Sequence, residues 1–448
     1  MQQLTIQAFI QQQWQDIAIL FFPEIDQGNY SKMKVNYVAK HIERYFLEDN
    51  ACALSLNYPV DLFFDEQEKQ GLRFLDDLMP SGASRRYWLK YLNISHLPYD
   101  EQNYLLLKQV TIAPIGNLRV KEATMAIQPA TQLFDMEEVI NRDVNFLEYA
   151  QQNGAMAGGA TGAGGEAPKL LLRCNSQQKV WIDNLQNGQS DDQYYLVKYP
   201  RGQRLAIDCD ILRAEYHYYA ELQAMGFNTI NTANMRLMEG VNYPSLWLPR
   251  FDVWYSSDGK TQRYAMESVY SILKREAGSL LDHNQTIRCL IAKIENSNMV
   301  ANGFKFDRTL FVIEWVKRDL LNIAFGNSDN HGRNTAFLRD RDSIQLAPIY
   351  DFAPMKADPE GIIRLTTWST QGKHPLEQGG QYNYAAIIES LSDLVEPEVL
   401  WQELRKLAAQ LVDLKMRLTK RGVPKSILTF PSIGFDYLPE KLTRWGLL

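Results

Sequence analysis

The 448-residue sequence has few cysteines, no long apolar run and no excess of positive charge, and each shortage excludes a class of protein. Its four cysteines lie far apart without a CxxC pair, which excludes a sequence-visible zinc ribbon or disulfide scaffold and indicates a reducing cytoplasm. A net charge of −6 makes bulk wrapping of nucleic acid a poor expectation. No apolar run approaches the ~20 residues that cross a bilayer, and no basic segment leads into an apolar one at the N-terminus. We therefore expect neither membrane insertion nor secretion.

A glycine-rich segment interrupts this otherwise ordinary composition. Residues 154–165 read GAMAGGATGAGG, and such small residues cannot pack a core and lose much backbone entropy in a helix. We place the main domain boundary just before this segment. The predicted parts are residues 1–150, a β-rich part over residues 151–255 and a helical part over residues 256–448. Two lobes of this kind enclose a cleft, which is a natural ligand site.

Periodicity and end signals predict several elements inside these parts. The longest is a buried helix from Arg308 to Phe325, with Asp307 as its N-cap. A further helix is predicted from Pro397, with an apolar stripe that continues to Leu418. The predicted strands are residues 51–56, 169–174, 194–199, 246–248, 335–338 and 344–349.

The most specific motif is GNSDNHGRN, residues 326–334, which follows the buried helix and precedes a predicted hairpin. Asp329 and Asn334 have the D-x-x-x-x-N spacing of kinase catalytic loops, and Asp351 is followed by an aromatic residue as in the metal-binding D-F-G. Phosphoryl transfer needs Mg²⁺, which prefers oxygen ligands such as Asn334 and Asp351. It also needs a separate carboxylate, here Asp329, to orient the acceptor hydroxyl and take its proton. The alternative is a loop rich in Asp and Asn for local reasons, because these residues favour turns.

The β-rich part offers groups that could hold the phosphates of a nucleotide. Gly164 and Gly165 precede Lys169 at the start of a strand, and glycine lets backbone N–H groups approach phosphate. The Gly-Lys-Ser/Thr of a Walker loop is missing. Lys198 lies in an otherwise apolar strand, where an ammonium is costly unless an anion meets it. The alternatives are a flexible linker for the glycines and a solvated edge strand for Lys198, whose charge Glu215 could also neutralise.

Residues 244–252 are expected to connect the two lobes. A purine needs a backbone carbonyl for its amine and a backbone N–H for its ring nitrogen. Pro249 can supply only the carbonyl, and Phe251 can supply the N–H. The alternative is an ordinary strand that ends in a turn.

Taken together, these motifs resemble those of the HipA family of bacterial serine/threonine kinase toxins, over nearly the whole chain. The resemblance implies an α+β fold, protein-kinase-like and two-lobed, with a small N-terminal β-rich domain and an all-α C-terminal lobe. The motifs that carry it are Asp329, His331 and Asn334 for D-x-H-x-x-N, Tyr350 and Asp351 for Y-D, residues 248–252 for the VERFD hinge, residues 162–169 for the phosphate loop, and residues 54–59 and 74–80 for N-terminal elements.

The resemblance also implies roles and partners. Asp329 would be the catalytic base, and Asn334 and Asp351 would hold Mg²⁺. The substrate would be a protein, with aminoacyl-tRNA synthetases as the family's suggestion and growth arrest as the outcome. A HipB-like helix-turn-helix antitoxin would be the partner, and DNA would be contacted only through it. ATP would be bound by Gly164, Gly165, Lys169, Lys198, Pro249, Phe251, His331 and Tyr350.

The phosphate loop departs from the family's pattern. Gly162 stands where the family has a self-phosphorylated serine, with Thr161 as the nearest hydroxyl. The family's glutamine aligns with Ala167, or with Glu166 if the loop shifts by one residue. These differences motivate a second hypothesis, a degenerate kinase that serves as an antitoxin-binding module. A third hypothesis is a metal-dependent nuclease or phosphodiesterase, because the oxygens that hold Mg²⁺ for a kinase could also serve diester hydrolysis.

Overall fold

The computed structural model describes residues 2–62, 72–112, 114–125, 132–142, 169–182, 192–369 and 375–448. The glycine-rich segment 154–165 lies outside these ranges, as do the predicted phosphate-binding residues Gly164 and Gly165. No helix in the described ranges is long and apolar enough to cross a bilayer.

The N-terminal part consists of a four-stranded antiparallel sheet covered by short helices. Its first two strands contribute buried apolar residues such as Leu4, Ile6 and Leu20 to a separate core with Leu54 and Leu75. The strands, in sheet order, are Lys34–Tyr37, Gln13–Phe22, Gln2–Ile10 and Leu118–Val120. The helices are Ala39–Tyr45, Phe74–Leu78, Gly82–Tyr91, Tyr99–Gln109 and Lys121–Met125.

A six-stranded sheet forms the next layer, and it is buried on both faces. Leu171, Leu196 and Leu246 belong to the core shared with helix Ala206–Ala224, whereas the alternate residues belong to a smaller core with helix Met136–Asn141. The strands, in sheet order, are Phe134–Asp135, Lys179–Ile182, Lys169–Cys174, Gln193–Lys198, Pro244–Pro249 and Arg236–Glu239. Strand Phe134–Asp135 joins this sheet from before the boundary predicted at residue 150, which itself stays a prediction.

The C-terminal part is mainly helical and carries short sheets next to the cleft. Helix Arg308–Phe325 has the predicted bounds, and the Asp307 carboxylate accepts a hydrogen bond from the N–H of Leu310 at 2.9 Å, as expected for an N-cap. The other helices are Val269–Ile272, His283–Glu295, Asn298–Ala301, Tyr384–Glu389, Pro397–Leu411, Leu414–Arg421, Lys425–Leu428 and Leu438–Arg444. The strands are Val253–Tyr255, Thr261–Arg263, Ala265–Ser268, Leu281–Asp282, Ala336–Arg339, Ile344–Leu346, Thr366–Thr367, Glu377–Gln378 and Gln381–Tyr382.

Buried charged groups attach the N-terminal part to the C-terminal part. The Glu267 carboxylate accepts hydrogen bonds from the Ser55 hydroxyl at 2.6 Å and from the N–H of Leu56 at 2.9 Å. The same carboxylate forms an ion pair with Arg339 at 3.2 Å. A carboxylate with these donors is well satisfied, so the contact fixes the two parts against each other.

Two predicted elements are wrong, and each error has a local cause. Residues 51–56 form turns instead of a strand, because the Asn50 side chain accepts a hydrogen bond from the N–H of Cys52 at 2.9 Å and so competes with strand pairing. The helix predicted from Pro397 to Leu418 is divided into Pro397–Leu411 and Leu414–Arg421. The Arg417 guanidinium donates to the Gln410 carbonyl at 2.6 Å, an acceptor that a continuous helix would use internally.

Candidate active site

The polar loop of residues 327–334 begins where helix Arg308–Phe325 ends. Gly326 has a φ of +72°, a left-handed conformation that favours glycine after a helix. Within the loop, Asn327 accepts a hydrogen bond from the N–H of Asp329 at 3.2 Å, and Asn330 donates one to the Thr366 carbonyl at 2.7 Å. The local role of asparagine in turns therefore explains part of the loop's composition.

The carboxylate of Asp329 has no such local role. Nε2 of His331 lies 3.4 Å from its Oδ1, and the Asp329 side chain is 18% exposed. It opens into a cavity of about 50 Å³ that is also lined by Lys169, Lys198 and Asp351. Asp329 is thus a carboxylate held in place by its backbone and directed toward a charged cavity.

Asn334 closes the loop and keeps one oxygen without a partner. Its amide nitrogen donates to the backbone carbonyl of Asp329 at 2.7 Å, while its buried Oδ1 has no hydrogen-bond partner. A buried polar atom without a partner is rare and indicates a ligand or a water. An amide oxygen and a carboxylate such as that of Asp351 are donors that Mg²⁺ accepts, since this ion usually completes its shell with water and phosphate. In the described ranges, no three His, Cys, Asp or Glu residues form a denser metal cluster.

The two lysines meet because of strand register. Lys169 pairs directly with Lys198 across strands Lys169–Cys174 and Gln193–Lys198, so both side chains leave the same face of the sheet. Both ammonium groups bind the Asp351 carboxylate, that of Lys169 at 3.0 Å. Lys198 also binds Glu215 at 2.6 Å, so the strand lysine is buried and paired, not solvated.

Burial and charge act against each other in this cluster. Burial alone would raise the pKa of the Asp351 carboxyl, but Lys169 and Lys198 hold that pKa well below its usual range. Burial lowers the pKa of Lys169 although Asp351 opposes it, whereas Asp351 and Glu215 together raise the pKa of Lys198 despite burial. Asp351 is therefore an ionised carboxylate held between the two lysines.

Asp351 also has unusual backbone geometry. Its φ is +51°, which is uncommon for a residue other than glycine and is best tolerated by Asp and Asn. Such backbone conformations concentrate at functional sites, where the surrounding contacts hold them.

The connection between the lobes leaves two backbone groups facing the cleft. The N–H of Arg250 donates to the Tyr194 carbonyl at 2.9 Å, so Arg250 occupies a hydrogen-bonded position of the ladder. By alternation, the carbonyl of Pro249 and the N–H of Phe251 point away from strand Gln193–Lys198. They border a second cavity of about 30 Å³, whose walls include Leu196, Leu248 and Tyr350. The rings of Phe251 and Tyr350 are 5.4 Å apart.

A buried ion pair fixes this connection. Arg250 binds Asp252 through two hydrogen bonds of 2.9 and 2.6 Å, and the same carboxylate accepts the N–H of Gly116 at 2.8 Å. Burial alone would raise the pKa of Asp252, but Arg250 and Arg263 hold it below its usual range. The pair thus orients the backbone next to Phe251.

Replacing Asp252 by asparagine is expected to lower the free energy of unfolding by about 3–5 kcal/mol, because one buried charge of the pair is left uncompensated. Equilibrium unfolding in urea measures this. Asp258→Asn is the matched control, since Asp258 pairs with Lys260 on the exposed surface and its loss should change the midpoint little. Equal losses for the two variants would contradict the assigned role of the pair.

His331 lies beside the site without lining either cavity. Its ring is stacked on that of Tyr270 at 6.3 Å, and its Nδ1 accepts a hydrogen bond from the N–H of Arg333 at 3.2 Å. These contacts favour a role in shaping the loop. The predicted nucleotide contact of His331 stays a prediction.

The loop passes so close to Tyr270 that position 332 requires glycine. A Cβ at Gly332 would lie 2.7 Å from the Tyr270 ring. Gly332→Ala is expected to lower the free energy of unfolding by about 1–3 kcal/mol through overpacking. The same substitution in a Tyr270→Leu background should cost less, and urea unfolding of the four proteins measures the coupling. Equal costs in both backgrounds would show that the ring is not the obstacle.

Sequence reasoning missed two residues at the site. The Tyr219 hydroxyl donates to Glu215 at 2.8 Å and accepts the N–H of Phe352 at 3.2 Å, which links the helix to the residue after Asp351. The i, i+4 spacing from Glu215 was the available signal. Arg201 lines the charged cavity and binds Asp358 at 3.1 Å, a pairing between distant segments that no local pattern indicates.

A larger cavity of about 720 Å³ lies elsewhere, between the end of helix Ala206–Ala224 and helix Pro397–Leu411. Its charged groups neutralise one another, as Lys317 and Glu403 do at 3.4 Å. The cavities beside Asp351 are smaller than the ~300–1,000 Å³ of typical ligand pockets. We nevertheless place the candidate site at Asp351, because Asp329, Asp351 and two lysines line one cavity there.

Comparison with known proteins identifies the family of this chain. Residues 161–414, more than half of the chain, match the HipA-like C-terminal domain family. The chain belongs to the HipA family. The polar loop, both lysines and Asp351 all lie within the matched residues. A comparison with curated proteins found no match.

Solved structures extend the HipA likeness to the whole chain. A Shewanella oneidensis MR-1 structure, described as a toxin–antitoxin system of HipA, HipB and its operator DNA, aligns with 99% of this chain and 97% of that chain. The TM-score is 0.66 at 14% identity, which shows a shared fold and confirms the expected HipA-like α+β fold. The Helicobacter pylori proinflammatory kinase CtkA aligns with 58% of this chain and 88% of that chain at 12% identity. Its TM-score of 0.38 is too low to support an argument.

Proposed function

We propose that this HipA-family protein is an ATP- and Mg²⁺-dependent serine/threonine protein kinase. The observation that carries the proposal is the single charged cavity lined by Asp329, Asp351, Lys169 and Lys198. A carboxylate for the acceptor hydroxyl, a carboxylate for a metal and two ammonium groups for phosphate are the parts that phosphoryl transfer requires. Lys198 and Asp351 also border the apolar cavity beside Phe251, which suits a purine ring.

In this proposal, the free Oδ1 of Asn334 and the carboxylate of Asp351 hold Mg²⁺. When bound, the ion would neutralise charge on the phosphates of the nucleotide. Lys169 and Lys198 would then exchange the Asp351 carboxylate for phosphate oxygens. Glu215 would keep Lys198 oriented during this exchange, because it also binds the ammonium group, at 2.6 Å.

Asp329 would act on the protein substrate. Its carboxylate would accept a hydrogen bond from a serine or threonine hydroxyl, orient the oxygen toward the terminal phosphoryl group, and receive the proton as the new O–P bond forms. The hydrogen bond from Asn334 to the Asp329 carbonyl fixes the carboxylate relative to the proposed metal site.

The narrow cavities give the proposal a structural requirement. A nucleotide needs more room than the described cavities of about 50 and 30 Å³, so the Lys169–Asp351 and Lys198–Asp351 pairs must separate when it binds. The free energy for this separation comes from the phosphate contacts that replace the ion pairs.

The proposed partners are based on the HipA family. The Shewanella protein is described in complex with HipB and operator DNA. We propose a HipB-like antitoxin for this chain, with DNA contacted only through it. A translation-related protein such as an aminoacyl-tRNA synthetase is the proposed substrate, with growth arrest as the consequence.

Calorimetric titration of the purified protein with ATP tests the nucleotide site. We expect binding that is at least tenfold tighter with Mg²⁺ than with EDTA, because Asp351 then faces the metal instead of bare phosphates. Plasmid DNA and Mg²⁺ without ATP serve as the test of the nuclease hypothesis, for which cleavage is expected. Absence of ATP binding under both conditions would contradict the kinase and favour the degenerate antitoxin-binding module.

A further inference from the structure

Two lysines near the end of helix Arg308–Phe325 have no ion-pair partner among the described residues. Lys356 belongs to the turn Met355–Ala357, and Lys441 belongs to helix Leu438–Arg444. Both are half-buried. Among the described residues, no carboxylate lies within ion-pair distance of either ammonium group, in contrast to Lys169 and Lys198.

Both lysines flank the end of helix Arg308–Phe325. The N–H of Lys356 donates to the Gly326 carbonyl at 2.9 Å. Gly326 itself packs on Ile433, because a Cβ at position 326 would lie 2.8 Å from that side chain. The next residue, Gly434, lies against Lys441, since its Cβ would be 3.2 Å from Nζ. These contacts bring the two lysines to one junction of the fold.

A third cation, Arg364, lies nearby but is itself paired with carboxylates. Arg364 lies close enough to affect Lys356, but its own guanidinium is neutralised by Asp319 at 2.9 Å and Glu377 at 3.2 Å. Glu377 therefore serves Arg364 and only weakly offsets the lysines. The junction keeps an excess of positive charge.

The cost of this arrangement appears in the pKa of Lys356. Burial, then Lys441 and Arg364, lower the pKa of Lys356 to about 8, and burial lowers the pKa of Lys441 as well. Half-buried cations are ordinarily paired with carboxylates, as elsewhere in this protein. An anion from outside the chain would supply the missing partner.

We propose that Lys356 and Lys441 form a binding site for a tetrahedral divalent oxyanion, either free phosphate or the phosphoryl group of a phosphorylated side chain. The site is separate from the proposed nucleotide site, because neither lysine lines the cavities beside Asp351. An occupied site would tie the segment after Asp351 to the C-terminal helix.

Thermal unfolding at neutral pH tests the site without nucleotide. Inorganic phosphate is expected to raise the unfolding midpoint of the full chain more than sodium chloride at equal ionic strength, because a ligand of the folded state stabilises it. Lys356→Gln and Lys441→Gln should each abolish this difference. Without phosphate, both variants should also be at least as stable as the original protein, because like-charge repulsion is removed. If the lysines had a purely structural role, both variants would instead be less stable.

Lys420→Gln is the matched control, since Lys420 is an exposed lysine on the neighbouring helix Leu414–Arg421 and should leave the phosphate effect unchanged. O-phosphoserine in place of phosphate distinguishes the two sources: tighter binding of phosphoserine favours a phosphorylated side chain, and tighter binding of phosphate favours the free ion. The proposal is overturned if phosphate acts no more strongly than chloride, or if it stabilises both lysine variants as much as the original protein.

Discussion

Asp329→Asn is expected to slow phosphoryl transfer to protein by about 10²–10⁴-fold, the usual contribution of a positioned general base. The amide keeps the size of the side chain but cannot take the proton of the acceptor hydroxyl. Affinity for Mg²⁺ and ATP should change little, because Asn334 and Asp351 carry the proposed metal site. Transfer from radiolabelled ATP and calorimetric binding of ATP measure the two effects separately.

Asp342→Asn provides the matched control for this substitution. Asp342 is exposed at the turn of the hairpin that follows the loop, so the same chemical change there should leave transfer unchanged. Equal transfer by the Asp329 and Asp342 variants would remove Asp329 from the reaction.

Asp351→Asn is expected to abolish measurable phosphoryl transfer. It should also remove the gain in ATP affinity that Mg²⁺ provides. Asparagine tolerates the positive φ of position 351, so the backbone should keep its conformation. Lys169 and Lys198 lose the carboxylate that neutralises them, and they become more attractive to bare phosphates. Metal-free ATP should therefore bind as tightly as before or more tightly, whereas Mg²⁺ should no longer strengthen binding.

The same variant is also expected to be less stable, by about 3–5 kcal/mol, because one member of a buried ion pair is removed. Lys198 keeps Glu215, so the loss falls mainly on Lys169. Unfolding in urea, with transfer measured well below the midpoint, separates stability from chemistry. Transfer at the original rate, or ATP binding that still tightens with Mg²⁺, would show that Asp351 is not a metal ligand.

Where residues at or near its ends determine an element, the sequence predicted that element correctly. Helix Arg308–Phe325 has its predicted ends because Asp307 caps one end and Gly326 terminates the other. Strand Lys169–Cys174 also has its predicted bounds. Residues 51–56 were predicted wrongly because their apolar character matches a strand, while the deciding hydrogen bond comes from the Asn50 side chain.

The sequence predicted which residues belong to the candidate site, but not how these residues are arranged in space. The spacing of Asp329, Asn334 and Asp351 could be read from the chain, and the structure places Asp329 and Asp351 in the walls of one cavity. The pairing of Lys198 with Asp351 joins residues 153 positions apart. This pairing depends on sheet register and on the packing of the two lobes, and neither can be read from a single sequence. The same holds for Arg201 and Asp358.

The account is tested most directly by incubating the purified protein with a cell lysate and ATP labelled on its terminal phosphoryl group, with and without Mg²⁺. We expect label on protein serine or threonine, located by mass spectrometry, only when Mg²⁺ is present and only with an intact Asp329. Three results would contradict the proposed kinase. They are label that forms without a divalent ion, label formed equally by the Asp329→Asn variant, and the absence of any labelled protein in the lysate.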